Sequence, residues 1–188
     1  MAIVDPEYKF ICIDVGGYGR NLDGGILEDS AIGKRLEMGN LNLPTNKPLP
    51  GQVEDSPMVL IGDEAFALKP YLLKPFPRRQ SRNNIQLDNY NYRLCRARRV
   101  VENAFRILTK KWRIYNRLIE VKEETTIKII MATCILHNFI RVQNCNIDTI
   151  EPDENDSIST LGELSINDRR GTNESLRIRD NFIDFFNS

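Results

Sequence analysis

Two short apolar runs open the chain. Ala2-Ile3-Val4 stops at the turn signal Asp5-Pro6-Glu7, and Tyr8-Lys-Phe-Ile-Cys-Ile-Asp-Val15 follows as a mostly apolar β run, so the pair predicts a hairpin. Gly16-Gly17-Tyr18-Gly19 ends the second strand, and Asp23-Gly24-Gly25 starts a short helical piece through about Leu36. A surface loop rich in Asn, Pro and Gly covers Gly39 to Pro57. Met58-Val59-Leu60-Ile61 is short and continuously apolar, which predicts a buried strand whose end carries Gly62-Asp63.

The pattern then changes period. From about Asn89 to Trp112, Leu94, Ala97, Val101, Ala104, Phe105, Leu108 and Trp112 recur at steps of three and four, the stripe of an amphipathic helix with Trp112 as core. From about Glu123 to Gln143 the helix is apolar almost all round, with Ile127, Ile130, Met131, Ile135, Leu136 and Phe139, and burial is expected. Residues 146–175 are acidic and polar and bury too little to offset chain entropy, so they read as a disordered linker. The segmentation is therefore a domain over 1–145, the linker, and an amphipathic helix over 176–188 that docks on the domain or on a partner.

Composition adds limits. With 188 residues, 41% of them apolar, the chain has enough material for a core. No stretch resembles a membrane span and the N-terminus lacks the order of a secretory signal, so an intracellular site without membrane contact is expected. Cys12, Cys95, Cys134 and Cys145 form no Cys-x-x-Cys pair, which argues against zinc and for reduced thiols.

Charge changes the picture more. The net charge is zero, yet residues 65–117 hold 14 bases and only two acids, Asp88 and Glu102, while both flanks are acidic. Such a block suits a polyanion, because nucleic-acid affinity comes largely from neutralising phosphates and releasing counterions. The basic loop Arg78–Asn84, with Arg78, Arg79 and Arg82, and the helical Arg96, Arg98 and Arg99 are the candidate DNA contacts; these last three straddle more than one helix face. A solvated helix face is the plain alternative.

Asp63 at a strand end and Glu102 in a cationic helix are the candidate carboxylates. Mg²⁺ or Mn²⁺ chemistry on phosphodiesters needs several such groups from separate elements. Glu102 has Arg98 and Arg106 four positions away on either side, so from spacing alone an intrahelical ion pair is the simpler explanation. Asp14, before two glycines, is more simply a turn former than a ligand, and Asp23 more simply a helix N-cap. His137 reads as a packed, hydrogen-bonded ring rather than an acid–base group.

The wording of three blocks is more specific than any of this. Val59-Leu-Ile-Gly-Asp63-Glu-Ala-Phe-Ala-Leu-Lys-Pro-Tyr-Leu-Leu-Lys-Pro-Phe76 resembles the second-aspartate block of PIF/Harbinger-type DDE transposases and their domesticated nuclease relatives. Asn91-Tyr-Arg-Leu-Cys-Arg-Ala-Arg-Arg-Val-Val-Glu102-Asn-Ala-Phe105 resembles the helix carrying the family's glutamate, and Leu136-His137-Asn138 its closing helix. The glycine-rich stretch Gly16 to Gly25 also looks like the family's, with Asp23 at an often acidic position.

The resemblance implies an α/β, RNase H-like DDE core in which two aspartates and a glutamate bind Mg²⁺ or Mn²⁺ and attack DNA phosphates. By motif, Asp63 and Glu102 are the second and third acids. The family's first acid sits in a Gly-x-x-Asp-Gly motif that does not occur in this chain, so an incomplete, N-terminally truncated copy with little turnover is expected. Asp14 or Asp23 are the remaining candidates for a third ligand. The resemblance also implies a nuclear site, with the cytoplasm as a second compartment, and a Myb/SANT-like DNA-binding partner. Two other readings stay open: a non-catalytic DNA- or protein-binding module, and an inert fragment.

Overall fold

The computed structural model describes residues 1–16, 23–41, 43–143 and 171–188, the side chains of Asp23 and Gly24 excepted. The chain is a mixed α/β protein that divides into two compact units, one of Met1, Gly17–Arg99 and Asp168–Ser188, the other of Ala2–Gly16 and Val100–Asn167. The expected linker over 146–175 lies mostly outside the described residues.

In the second unit β1 (Ala2–Val4) pairs antiparallel with β2 (Phe10–Ile13), the expected hairpin. Asp5 builds its turn: Oδ1 accepts from the amides of Glu7 (3.0 Å) and Lys9 (2.8 Å), and the Asp5 amide bonds the Lys9 carbonyl (2.9 Å). The turn closes with Tyr8 at φ 64°, a left-handed residue of the kind that ends hairpin loops of this length. On one face of the hairpin, Phe10 packs with Ala104, Leu108 and Cys134 from the second half of α4 (Ile85–Lys111) and from α5 (Glu123–Gln143).

The Leu-His-Asn motif of α5 fastens this packing. Buried His137 places Nε2 2.8 Å from the Tyr8 carbonyl and its ring edge-on to Phe10, as the sequence suggested for a structural ring. Asn138 accepts from the Phe10 amide at 2.8 Å and donates to the Phe10 carbonyl at 2.9 Å.

The expected burial of α5 is corrected. Thr133, Cys134 and His137 are its buried residues, while Ile135 (64% exposed), Phe139 (62%), Met131, Leu136 and Val142 face outward. An all-apolar helix carries no directional signal; the polar groups that fit the hairpin, His137 and Asn138, decide which side packs. By length and hydropathy alone α5 would also cross a bilayer, contrary to the expectation that no stretch would.

In the first unit, α1 (Asp23–Asp29) and α2 (Ala31–Glu37) replace the single helical piece, separated by Ser30, whose Oγ caps α2 by accepting from Gly33 N at 3.0 Å. β3 (Lys47–Pro48) and β4 (Asp55–Ser56) form a short antiparallel ladder. β5 (Leu60–Ile61) pairs parallel with β6 (Leu72–Leu73), through Leu60↔Leu72 and Ile61↔Leu73. Among the described residues the strands pair two by two rather than as one wide sheet. The expected buried strand at Met58–Ile61 is only half right, since Met58 and Ile61 are exposed and its partner β6 is the buried member.

The core of this unit is Leu68, Leu73, Tyr90, Leu94, Ile178 and Ile183. Tyr90 and Leu94 come from the first half of α4, and Ile178 and Ile183 from α6 (Asn173–Asn187), so the terminal helix docks on the domain. Thr172 caps α6 by accepting from Ser175 N at 3.2 Å, and Asn89 donates to the Phe186 carbonyl at 2.7 Å. Each fully buried Leu or Ile here contributes about 1.5–3 kcal/mol. The loop expected at Arg78–Asn84 begins instead as a single helical turn, α3 (Arg78–Ser81).

Candidate functional site

Asp63 stands just beyond β5, as its motif predicts. The Gly62 amide still belongs to the ladder, donating to the Leu73 carbonyl at 2.9 Å, and a Cβ at Gly62 would lie 2.8 Å from the Phe66 ring. A glycine is therefore required to let the strand end against Phe66 and release the acid. Asp63 is half-buried, and its Oδ1 accepts from Ala65 N at 2.9 Å, which commits one carboxylate oxygen to shaping its own turn.

A residue that the sequence did not single out lies beside this turn. Lys74 follows β6 directly and is buried to 7% exposure, and its Nζ donates to the Glu64 carbonyl at 3.4 Å. The Tyr90 hydroxyl in turn donates to the Lys74 carbonyl at 3.3 Å. An ammonium thus reaches the residue next to Asp63. Its only signal was position in the quoted block.

Glu102 is exposed on the second half of α4 and belongs to the second unit, whereas Asp63 belongs to the first. Asp14 is half-buried just after β2 in the second unit, and Asp23 opens α1 in the first. Among the described residues no group of three or more His, Cys, Asp or Glu side chains could hold a metal ion. Cys12, Cys95 and Cys134 are free thiols, Cys145 lying outside the described residues, and burial raises the thiol pKa of Cys12, which Asp14 raises further, and of Cys134, so neither of these two is poised as a nucleophile.

The arginines are placed more tellingly. Arg78, Arg79 and Arg82 on and after α3, and Arg96 and Arg99 on α4, are all exposed, and all lie in the first unit. Arg98 is half-buried, set toward the packed side of α4 by the helical period. A depression of about 610 Å³ over Arg113–Val121 and Ile129 includes none of the candidate acids or DNA contacts.

A family-wide profile of DDE superfamily endonucleases matches residues 1–138. The chain belongs to that family. The likeness named from the sequence blocks is thereby borne out at family level. Among curated proteins, Protein ALP1-like from Arabidopsis thaliana is 29% identical over 140 residues, covering 74% of this chain and 34% of its own length. The chain thus spans about a third of the length of that relative. No solved structure gives a significant match. The matched region stops before α6, so two of the six residues of the core around Tyr90 come from outside it.

Proposed function

We propose that this chain is a transposase-derived member of the DDE endonucleases, of the Harbinger type, that acts in the nucleus by holding DNA through Arg78, Arg79, Arg82, Arg96 and Arg99. The observation that carries the reading is the exposure of these five guanidiniums in one compact unit of a chain whose net charge is zero. Arginine suits the task because its planar fork matches phosphate oxygens.

The family chemistry depends on a divalent metal, Mg²⁺ or Mn²⁺, and Asp63 and Glu102 are the family's second and third acids by motif. The described residues do not by themselves make up a complete site. The described acids form no metal-competent group of three, and one oxygen of Asp63 is held by the Ala65 amide. DNA cleavage by these 188 residues alone is therefore not part of the proposal. What remains for Asp63, Glu64 and Lys74 is a preformed turn at the end of a strand.

Fluorescence anisotropy with a labelled duplex tests the reading. Affinity should fall steeply with salt, and Arg99→Gln should lower the slope of log affinity against log salt by about one. Salt-independent binding would remove the interface. In parallel, supercoiled plasmid with Mn²⁺ should stay intact; nicking that disappears in Asp63→Ala would show a working catalytic site instead.

A further inference from the structure

We propose that Tyr92 is a base-stacking residue and that the arginine face of α4 prefers DNA with unpaired bases over intact duplex. This deepens the reading above and rests on it.

Tyr92, Arg96 and Arg99 are spaced i, i+4 and i+7, which sets them on one face of a helix. The opposite face is fixed by Tyr90 and Leu94, at 0% and 2% exposure, so the stripe cannot turn inward. The Tyr92 ring is 59% exposed, and among the described residues no ring or guanidinium contact covers it. A single exposed aromatic residue needs no explanation. Its company does.

Residues 78–99 hold seven arginines, no lysine and one acid, Asp88. Arginine serves phosphate oxygens and base faces alike, so the arginines alone do not choose between duplex and single strand; the ring beside them does. Arg96 and Arg99, on the same face of α4 as the open Tyr92 ring, add planar groups that stack on bases, the combination by which single strands are held. In a duplex the base faces are stacked on one another and unavailable to Tyr92. Only unpaired bases can use the ring.

The hydroxyl offers a competing use, a hydrogen bond to phosphate, which would serve duplex and single strand alike. Tyr92→Phe separates the two, since it keeps the ring and removes the hydroxyl. The experiment is anisotropy of the full chain with a labelled mixed-sequence single strand and with its duplex, at several salt concentrations. Circular dichroism and a thermal melt check that each variant keeps the wild-type fold.

The proposal expects tighter binding of the single strand, a loss of about tenfold for that probe in Tyr92→Ala, an unchanged duplex affinity, and wild-type behaviour in Tyr92→Phe. Salt-dependent binding with both probes weakened equally, or neither weakened, by Tyr92→Ala overturns the stacking role and leaves the arginine interface standing. A wild-type chain that binds neither probe overturns both.

Discussion

Asn138 completes both backbone hydrogen bonds of Phe10, accepting from its amide at 2.8 Å and donating to its carbonyl at 2.9 Å. The carboxamide thus takes the place that a neighbouring strand would have. The same device occurs once more: Asn91 on α4 accepts from the Phe76 amide at 2.8 Å and donates to its carbonyl at 3.0 Å. Both asparagines lie in blocks that carry the family likeness, and both tie a helix to an extended segment. In a fold whose strands pair only two by two among the described residues, side-chain amides satisfy backbone groups that a wider sheet would otherwise pair.

Asn138→Ala should therefore be costly out of proportion to its size. It leaves the amide and carbonyl of a residue only 6% exposed without these partners, at about 1–3 kcal/mol for each group. A destabilisation of about 2–4 kcal/mol in urea unfolding is expected. A loss below about 0.5 kcal/mol, the range of ordinary surface changes, would mean that the clamp is not formed in solution.

Two isoleucines test the placement of the helices. Ile178 on α6 is 5% exposed, whereas Ile135 on α5 is 64% exposed. Ile178→Ala should destabilise by about 2–5 kcal/mol, because it removes a buried side chain and leaves a cavity beside Tyr90 and Leu94. Ile135→Ala should stay within about 0.5 kcal/mol of wild type. Similar losses for both would show that the α5 face is covered in solution.

This contrast also marks what a linear pattern can reveal. The hairpin was legible because a turn signal divides two apolar runs, and α4 because one stripe recurs over many turns. Within α4 the stripe placed Leu94, Ala104 and Leu108 correctly, but it included Ala97 and Phe105, which are exposed, and omitted Tyr90 and Ile107, which are buried. Those four are settled by which neighbours arrive from distant segments. β6 has two residues, too few for any period, and α5 has apolar residues on every side, so neither announced its packed face. The place of Asp63 after a strand was legible from the apolar run before it and from its block, whereas a lysine between Leu73 and Pro75 shows no sign of the burial that Lys74 has. The asparagine clamps depend on hydrogen bonds across 15 and 128 positions, which no local signal contains.

Tyr8 carries a backbone conformation that side chains disfavour. Its φ of 64° lies in the left-handed region, at about 1–2 kcal/mol for a non-glycine residue. The ring offsets part of this by packing in the Phe10 cluster and under the Arg141 guanidinium, 5.3 Å from its centroid. Ala and Gly both remove the ring, but only Gly relieves the backbone. Tyr8→Gly should accordingly be more stable than Tyr8→Ala by about 1 kcal/mol in thermal or urea unfolding. The reverse order would show that Tyr8 does not hold this conformation.

Alkali offers a separate readout of the first unit. The Tyr71 phenol is pushed from 10.0 up to about 12, first by burial, then by the nearby Glu37 carboxylate, and then by Glu28. The Tyr90 phenol is raised as well, chiefly by burial, with Arg179 opposing. A raised phenol pKa means that the folded chain keeps a proton that the unfolded chain releases near pH 10. The unfolded state then binds fewer protons, so stability falls as pH rises; the Tyr71 contribution is complete below pH 10 and is lost on the way through about 12. Tyr71→Phe removes that titration together with the hydroxyl that faces Glu37. The variant should be less stable than wild type at neutral pH, yet its melting temperature should decline less steeply from pH 10 to about 12. Parallel declines in the two proteins would place the Tyr71 hydroxyl in water rather than against Glu37.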